Sequence, residues 1–156
     1  MRTDLRKSVL LLTILLIGVF NVGQAQEGFK YLILKGGPVY QDAWSATVGI
    51  DFVTRYHNSL ELSLNYYRHK TDYENYLLGL FYKPALSRSK NATLKLRLGS
   101  NIGTDNSDFI LSALGGLELL QSLSPGVDLL VSGTGGYYNR RNRWRIAGEI
   151  GLRFSF

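Results

Sequence analysis

Apolar and polar residues alternate with a period of two along most of the chain after residue 25. In the C-terminal segment, Trp144 and every second residue to Phe156 are apolar or glycine, whereas the positions between them carry arginine, glutamate and small residues. A period of two places the two sets on opposite faces of a β-strand, while a helix would mix them. The pattern therefore predicts a strand over residues 144–156.

The same alternation recurs at residues 44–54, 60–67, 94–99, 111–119 and 127–137. Two further segments, at 29–35 and 76–83, are apolar on both faces, so a strand is predicted but its facing stays open. Turn-forming residues separate the eight segments at Gly36-Gly37-Pro38, His57-Asn58, Lys70-Thr71-Asp72, 84–91, 104–108, Ser124-Pro125-Gly126 and 139–142. Eight evenly spaced strands predict an all-β, antiparallel up-and-down barrel with both termini at one end.

The length and chemistry of the strands favour a membrane barrel over a soluble ligand-binding barrel. Residues 144–156 span twelve steps of about 3.3 Å, and a tilt of about 45° gives a height of roughly 28 Å, close to the ~25 Å apolar band of outer-membrane barrels. One face carries bulky apolar residues, and the other carries small and charged residues that suit a narrow interior. Aromatic residues near the predicted strand ends are typical of interfacial girdles: Tyr40, Trp44, Tyr56, Tyr66, Tyr67, Tyr73, Tyr76, Tyr82, Tyr137, Tyr138, Trp144 and Phe156. We therefore expect a transmembrane barrel with its apolar face outward.

The first 25 residues have the features of an export signal. Three basic residues precede an apolar run at 8–20 that is too short to span a bilayer comfortably, and Gly23-Gln24-Ala25 supplies small residues at a cleavage site. We expect a signal peptide over residues 1–25 and a barrel over 26–156, located in the outer membrane of a Gram-negative bacterium. The alternative is an uncleaved N-terminal anchor.

The composition restricts the possible chemistry. The 156 residues include no cysteine, which excludes a lipoprotein attachment site, disulfides, a thiolate nucleophile and cysteine-based metal sites. The formal net charge is +6 and the pI is about 9.6. In an exported protein this balance favours lipopolysaccharide phosphates over nucleic acid as the anionic partner, and no cofactor is indicated.

Nine charged residues of both signs fall on the predicted lumen face: Asp51, Glu61, Lys95, Arg97, Glu118, Asp128, Arg145, Glu149 and Arg153. The interior of an eight-stranded barrel is too narrow for an open water channel, and a buried charge without a partner is costly. We therefore expect these residues to pair with one another as a structural plug. A proton or ion path is the alternative, and a carboxylate pair such as Glu118 and Glu149 could in principle perform acid–base chemistry.

The two histidines are predicted at opposite ends of the barrel, which excludes a shared metal or catalytic centre. His69 is followed by Thr71 and Asp72 in a predicted outer loop. Outer-membrane lipid A acyltransferases and deacylases use a histidine with serine or aspartate near the membrane face, so a lipid A-modifying enzyme is a further alternative.

Two features near the C-terminus indicate contacts outside the barrel. Arg140, Arg141 and Arg143 cluster in the last predicted outer loop, where they are either solvated or in contact with lipopolysaccharide phosphates or a partner. The chain ends in a strand with Phe154 and a terminal Phe156, which resembles the signature that outer-membrane barrels present to the barrel-assembly machinery.

The second half of the chain resembles the TraO family of conjugal transfer proteins from conjugative transposons of Bacteroidetes. The resemblance covers about half the chain and rests on the stretch from Asn91-Ala92-Thr93-Leu94 to Gly103, the run from Asp108-Phe109-Ile110 through Gly115-Gly116 to Leu123-Ser124, residues 127–131 and the closing segment 147–154. It implies a non-enzymatic outer-membrane accessory of a conjugative DNA-transfer apparatus that works beside other conjugal transfer proteins. The alternative is a general small barrel of the OmpX or OmpA type, for envelope integrity, adhesion or lipopolysaccharide contact.

Overall fold

The computed structural model describes residues 30–54, 56–71, 73–105, 107–139 and 144–156. The predicted signal peptide at 1–25 lies outside these ranges, and none of them contains a helix that could cross a bilayer. The strands are β1 (Lys30–Val39), β2 (Ala43–Val53), β3 (Ser59–His69), β4 (Glu74–Lys83), β5 (Ala85–Arg88), β6 (Ala92–Thr104), β7 (Phe109–Ser124), β8 (Val127–Tyr138) and β9 (Trp144–Ser155). All pairings between them are antiparallel, and β1 pairs with β9, which closes the sheet.

Two of the nine segments, β4 and β5, form a single strand of the barrel. Both pair with β6, and the register is the same on the two sides of Pro84, where Tyr82 lies opposite Leu98 and Ala85 lies opposite Lys95. It shifts by one residue only beyond Ala85. Pro84 separates them because it has no N–H to donate, although its carbonyl still accepts a bond from the Leu96 amide at 3.0 Å. The fold is therefore the predicted closed, eight-stranded antiparallel barrel, but the prediction of a turn throughout 84–91 was wrong for β5.

The predicted break at Gly36-Gly37-Pro38 was also wrong, because β1 continues through these residues to Val39. Gly37 lies so close to β9 that a Cβ there would be 2.0 Å from the carbonyl oxygen of Gly148. The glycine therefore permits close strand approach instead of ending the strand. The chain reverses immediately afterwards, where Gln41 and Asp42 have φ values of 73° and 62°.

The register of the strands sets their tilt. Following the cross-strand partners once around the barrel from Lys30 leads to Tyr40, ten residues further along the chain and directly after β1. The partners passed on the way are Phe52, Leu60, Tyr82, Leu98, Gly115, Gly135 and Ile146. A shift of ten residues across eight strands corresponds to a tilt of about 40°. The twelve residues of β9 then rise about 28 Å, which matches the apolar band of an outer-membrane barrel.

The barrel has two ends, which we call the terminal end and the loop end. The terminal end carries the start of β1, the end of β9 and the connections at 54–58, 89–91 and 125–126, and the loop end carries those at 40–42, 70–73, 105–108 and 139–143. No connection at either end is longer than five residues.

The alternation of the strands is confirmed, because most large apolar side chains are exposed on the outside and the predicted lumen charges lie inside. Some apolar side chains are also buried inside the barrel: Ile33, Leu77, Phe81, Ile110, Leu120 and Leu130. The structure also decides the facing of the two segments that were apolar on both faces. In β1, Leu34 points outward and is 46% exposed, whereas Ile33 is fully buried. In β4, Leu80 is 51% exposed and Phe81 is 1% exposed.

Candidate functional site in the barrel lumen

The centre of the lumen is a buried lysine surrounded by carboxylates. The ammonium of Lys83 lies 3.1 Å from Asp51 Oδ1, 3.0 Å from Glu61 Oε2 and 2.8 Å from Glu118 Oε1, and none of these side chains is exposed to solvent. The four side chains come from β2, β3, β4 and β7, and strand alternation points them into the narrow barrel. They lie at the same height along its axis, so one cation contacts three anions. Sequence reasoning missed Lys83, since the facing of its strand was undecided.

Arginines extend this cluster on two sides. Arg97 donates to Glu61 at 2.6 Å, and its guanidinium lies over the ring of Phe81 with 3.4 Å between the guanidinium carbon and the ring centroid. Arg153 bonds Asp51 at 3.0 Å and Asp128 at 2.6 Å. Asp51 and Glu61 therefore each contact both Lys83 and an arginine, as buried carboxylates require.

A second lysine connects the cluster to Glu149. Lys35 Nζ lies 3.3 Å from Glu149 and 3.7 Å from Glu61. Glu149 also accepts hydrogen bonds from Ser45 and Thr47, both at 3.1 Å. Sequence analysis missed Lys35 as well. Its spacing of two residues from Ile33 was a usable signal, because residues two apart on a strand lie on the same face.

The predicted lumen residues lie where the strand pattern placed them. Eight of the nine are buried and Asp128 is half-buried. Ion pairs through Lys83 and Lys35 join eight of them into one network, whose predicted members are Asp51, Glu61, Lys95, Arg97, Glu118, Asp128, Glu149 and Arg153. Glu118 and Glu149 contact different lysines, so the structure does not bring them together as an acid–base pair.

The ninth residue, Arg145, lies closer to the loop end. Its guanidinium carbon is 4.1 Å from the ring centroid of Tyr67 and 4.0 Å from that of Tyr138. The two tyrosines are only 5% and 6% exposed, so their predicted place in the interfacial girdle was wrong. They occupy lumen-facing register positions, opposite Ser45 and Ser112 respectively, and this facing outweighs their nearness to the strand ends.

Between Arg145 and the lysine cluster lies a cavity of about 50 Å³. Its wall combines apolar side chains such as Leu77, Phe81 and Leu114 with the polar or charged side chains of Ser45, Thr47, Asn65, Tyr67, Arg97, Asn101, Thr134, Tyr138, Arg145 and Glu149. The described part of the lumen is therefore occupied largely by buried side chains, with this small chamber near the loop end.

Other candidate residues lie at the two ends of the barrel. His57 contacts Arg88 at the terminal end, and His69 bonds the Thr71 hydroxyl at 2.8 Å at the loop end. The prediction that the histidines lie at opposite ends is therefore confirmed. Asp72 lies outside the described residues.

The aromatic residues that face outward lie at strand ends. Trp44 and Trp144 are 54% and 73% exposed at the loop end, and Phe156 is 59% exposed at the terminal end. Phe154 is half-buried and pairs with Leu32 of β1. The predicted outer-loop arginines Arg140, Arg141 and Arg143 lie outside the described residues.

The sequence matches no protein-family model and no curated protein, but the structure matches known barrels. The N-terminal β-barrel domain of Pseudomonas aeruginosa OprF matches with a TM-score of 0.66 and 15% identity over 83% of this chain and 100% of that domain. Neisserial surface protein A matches with a TM-score of 0.56 and 13% identity, over 84% of this chain and 98% of that one. A de novo designed transmembrane β-barrel matches with a TM-score of 0.57 and 17% identity, over 84% and 98%.

These identities are too low to carry over the roles of the matched proteins, so the likeness concerns the fold. The matched natural proteins are outer-membrane barrels, and the outward leucines, the two outward-facing tryptophans and the ~28 Å strand height fit the same environment. The chain is an eight-stranded outer-membrane β-barrel.

Proposed function

We propose that this protein is a non-enzymatic outer-membrane accessory of a conjugative DNA-transfer apparatus, which acts by binding other transfer proteins. The resemblance of residues 91–131 and 147–154 to TraO proteins supports this role. The observation that carries it is that the lumen is filled by paired charges, while the connections are at most five residues long. The surfaces left for a specific contact are the outer wall and the rims.

The rim of the terminal end has a basic sector. Lys30, His57, Arg88 and Lys90 follow one another around the side formed by β1, the β2–β3 turn and the β5–β6 turn. Within the described ranges, this rim exposes no acidic side chain. Asp128 lies near the rim at the start of β8, but its carboxylate is only 14% exposed and bonds Arg153. Annular lipid headgroups would surround the whole rim, so a sector on one side favours a protein partner with acidic residues.

The same sector contains a free sheet edge. In the described part of the chain, β5 pairs with β6 alone, and the Ala85 amide on its other side donates to the Asn58 side chain at 3.0 Å. The next three residues, Leu86 to Arg88, are exposed. An extended segment can add to such an edge through main-chain hydrogen bonds, and nearby lysine and arginine side chains would select an acidic one.

The test is conjugative transfer from a donor strain in which the gene is deleted and then complemented. Deletion should lower the transfer frequency by at least about tenfold, and the wild-type gene should restore it. A variant with Lys30, Arg88 and Lys90 changed to glutamine should insert normally but fail to restore transfer. A matched variant, Lys70→Gln at the loop end, should restore it. Full transfer from the deleted strain would contradict the proposal.

A general role in envelope integrity is the second candidate, because a barrel whose lumen is filled by buried ion pairs and whose connections are short also suits a purely structural outer-membrane protein. The short connections argue against adhesion, which uses longer outer loops. If the deleted strain transfers DNA normally but becomes sensitive to detergent or bile salts, the envelope role replaces the transfer role.

A further inference from the structure

Three polar atoms in the wall of the chamber make no hydrogen bond within the described residues. They are Arg97 Nε, Tyr67 Oη and Asn101 Oδ1. All three side chains line the chamber and are more than nine-tenths buried, with exposures of 3%, 5% and 4%. Bulk solvent therefore does not reach them, and leaving buried polar atoms unpaired is costly. The chamber should hold a molecule that bonds to them.

The hydrogen-bonding roles of the three atoms limit what that molecule can be. Arg97 Nε can only donate, Asn101 Oδ1 can only accept, and the Tyr67 hydroxyl can do both. A bare anion accepts hydrogen bonds but cannot donate one to the amide oxygen. A bare metal cation cannot accept one from the guanidinium. A molecule that both donates and accepts can bond to all three atoms.

The charged side chains of the wall already interact with other groups of the protein. The carboxylate of Glu149 lies 3.3 Å from Lys35 Nζ, and Arg97 donates to Glu61 at 2.6 Å. The guanidinium of Arg145 lies against two tyrosine rings, with distances of 4.1 and 4.0 Å to their centroids. The wall therefore does not demand a counter-ion, and a neutral occupant fits it.

The size of the chamber selects among neutral molecules. A volume of about 50 Å³ holds about three waters, since each needs about 10–15 Å³ and the apolar part of the wall offers no bonds to more. Gly79 of β4 leaves room for the Asn101 amide beside the chamber, because a Cβ at Gly79 would lie 2.5 Å from Asn101 Oδ1. Water is the small molecule that fits both this space and the three atoms.

We propose that the chamber binds a cluster of about three water molecules, which connects β3 to β6 through the lumen. The waters accept from Arg97 Nε, donate to Asn101 Oδ1 and bond to the Tyr67 hydroxyl. Because β4 lies between β3 and β6 in the sheet, the cluster supplies a cross-link that strand pairing does not. This site is independent of the proposed role in DNA transfer.

The direct test is a high-resolution crystal structure of the full barrel, with crystals grown in sodium bromide. We expect water peaks within hydrogen-bond distance of all three atoms and no anomalous signal in the chamber. An anomalous peak there would identify bromide as the occupant, and continuous density would identify a larger additive. Either of these results, or a chamber without density, would overturn the proposal.

Tyr67→Phe provides a second test in solution, because the sign of its effect depends on what the chamber holds. The variant keeps the ring that lies against Arg145 and removes only the hydroxyl. If water bonds to that hydroxyl, the urea midpoint of unfolding should fall by about 0.5 M. If the chamber is dry, the variant removes an unpaired buried hydroxyl and the midpoint should rise. A midpoint equal to or above that of the wild type would therefore overturn the proposal.

Tyr31→Phe is the matched control for this measurement. The Tyr31 ring also lies against an arginine, with 4.0 Å between its centroid and the guanidinium carbon of Arg153, but Tyr31 does not line the chamber. Its urea midpoint should match that of the wild type. An equal fall in Tyr31→Phe and Tyr67→Phe would contradict the assignment of the Tyr67 hydroxyl to the water cluster.

Discussion

Replacing Lys83 with methionine removes the cation at the centre of the lumen while keeping a flexible side chain of similar length. The substitution leaves Asp51, Glu61 and Glu118 without an ammonium that lies within 3.1 Å of each. All three carboxylates have no exposed side-chain surface, so water does not reach them as a substitute. The variant therefore isolates the energetic consequence of an unbalanced buried charge.

The three carboxylates should not be affected equally. Asp51 keeps Arg153 at 3.0 Å and Glu61 keeps Arg97 at 2.6 Å. Glu118 has Lys83 as its one ion-pair partner among the described residues. Breaking a buried pair by removing one partner costs about 3–5 kcal/mol, so we expect Lys83→Met to lower the free energy of unfolding by at least that amount.

A second substitution tests whether the orphaned Glu118 causes the loss. Lys83→Met with Glu118→Gln removes the uncompensated charge but leaves a buried amide, so about half of the lost stability should return. The assay is urea unfolding of the barrel in micelles, followed by tryptophan fluorescence and by the mobility of unboiled protein on gels.

The control is Lys70→Met, whose pair with Asp42 at 2.8 Å lies at the loop end with both side chains at least 70% exposed. We expect no measurable change there, because exposed pairs are screened. Equal unfolding of Lys83→Met and Lys70→Met would refute the reasoning.

Two further predictions concern packing and membrane position. Gly37→Ala should destabilise the barrel or prevent folding, because the added Cβ would lie 2.0 Å from the Gly148 carbonyl oxygen. Gly148→Ala should be neutral or slightly stabilising, because its Cβ would have no atom within 4 Å. Equal urea midpoints for the two variants would contradict this prediction. The fluorescence of Trp44 and Trp144 should be quenched more strongly by lipids brominated near the headgroup than by lipids brominated near the end of the acyl chain. The reason is that both side chains are exposed at the loop end of the apolar band. Stronger quenching by the lipids brominated near the end of the acyl chain would contradict this prediction.

The sequence alone determined the architecture, because strand alternation is a local property that each segment expresses by itself. The period of two in segments such as 144–156 predicted both the strand and its outward face. It also placed Asp51, Glu61 and the other lumen charges inside, since the opposite face of those segments carries no charged residue. Loops rich in glycine, proline and asparagine located most of the turns.

Only the tertiary structure decided features that depend on neighbouring strands. Glycines mark both turns and close strand contacts, and the nearness of β9 is what made Gly37 part of a strand. The continuation of the chain beyond Pro84 depended on pairing with β6.

Facing was likewise decided by register wherever the sequence was apolar on both sides. The inward positions of Lys35 and Lys83 were decided in this way, whereas Tyr67 and Tyr138 continue the lumen-facing alternation of Glu61 and Asp128 up to the strand ends. Those four side chains complete the charge network and close the polar chamber. The sequence therefore determined the strands and their charged face, whereas the contacts that give the lumen its chemistry needed the closed barrel, because closure brings side chains from distant strands to the same level.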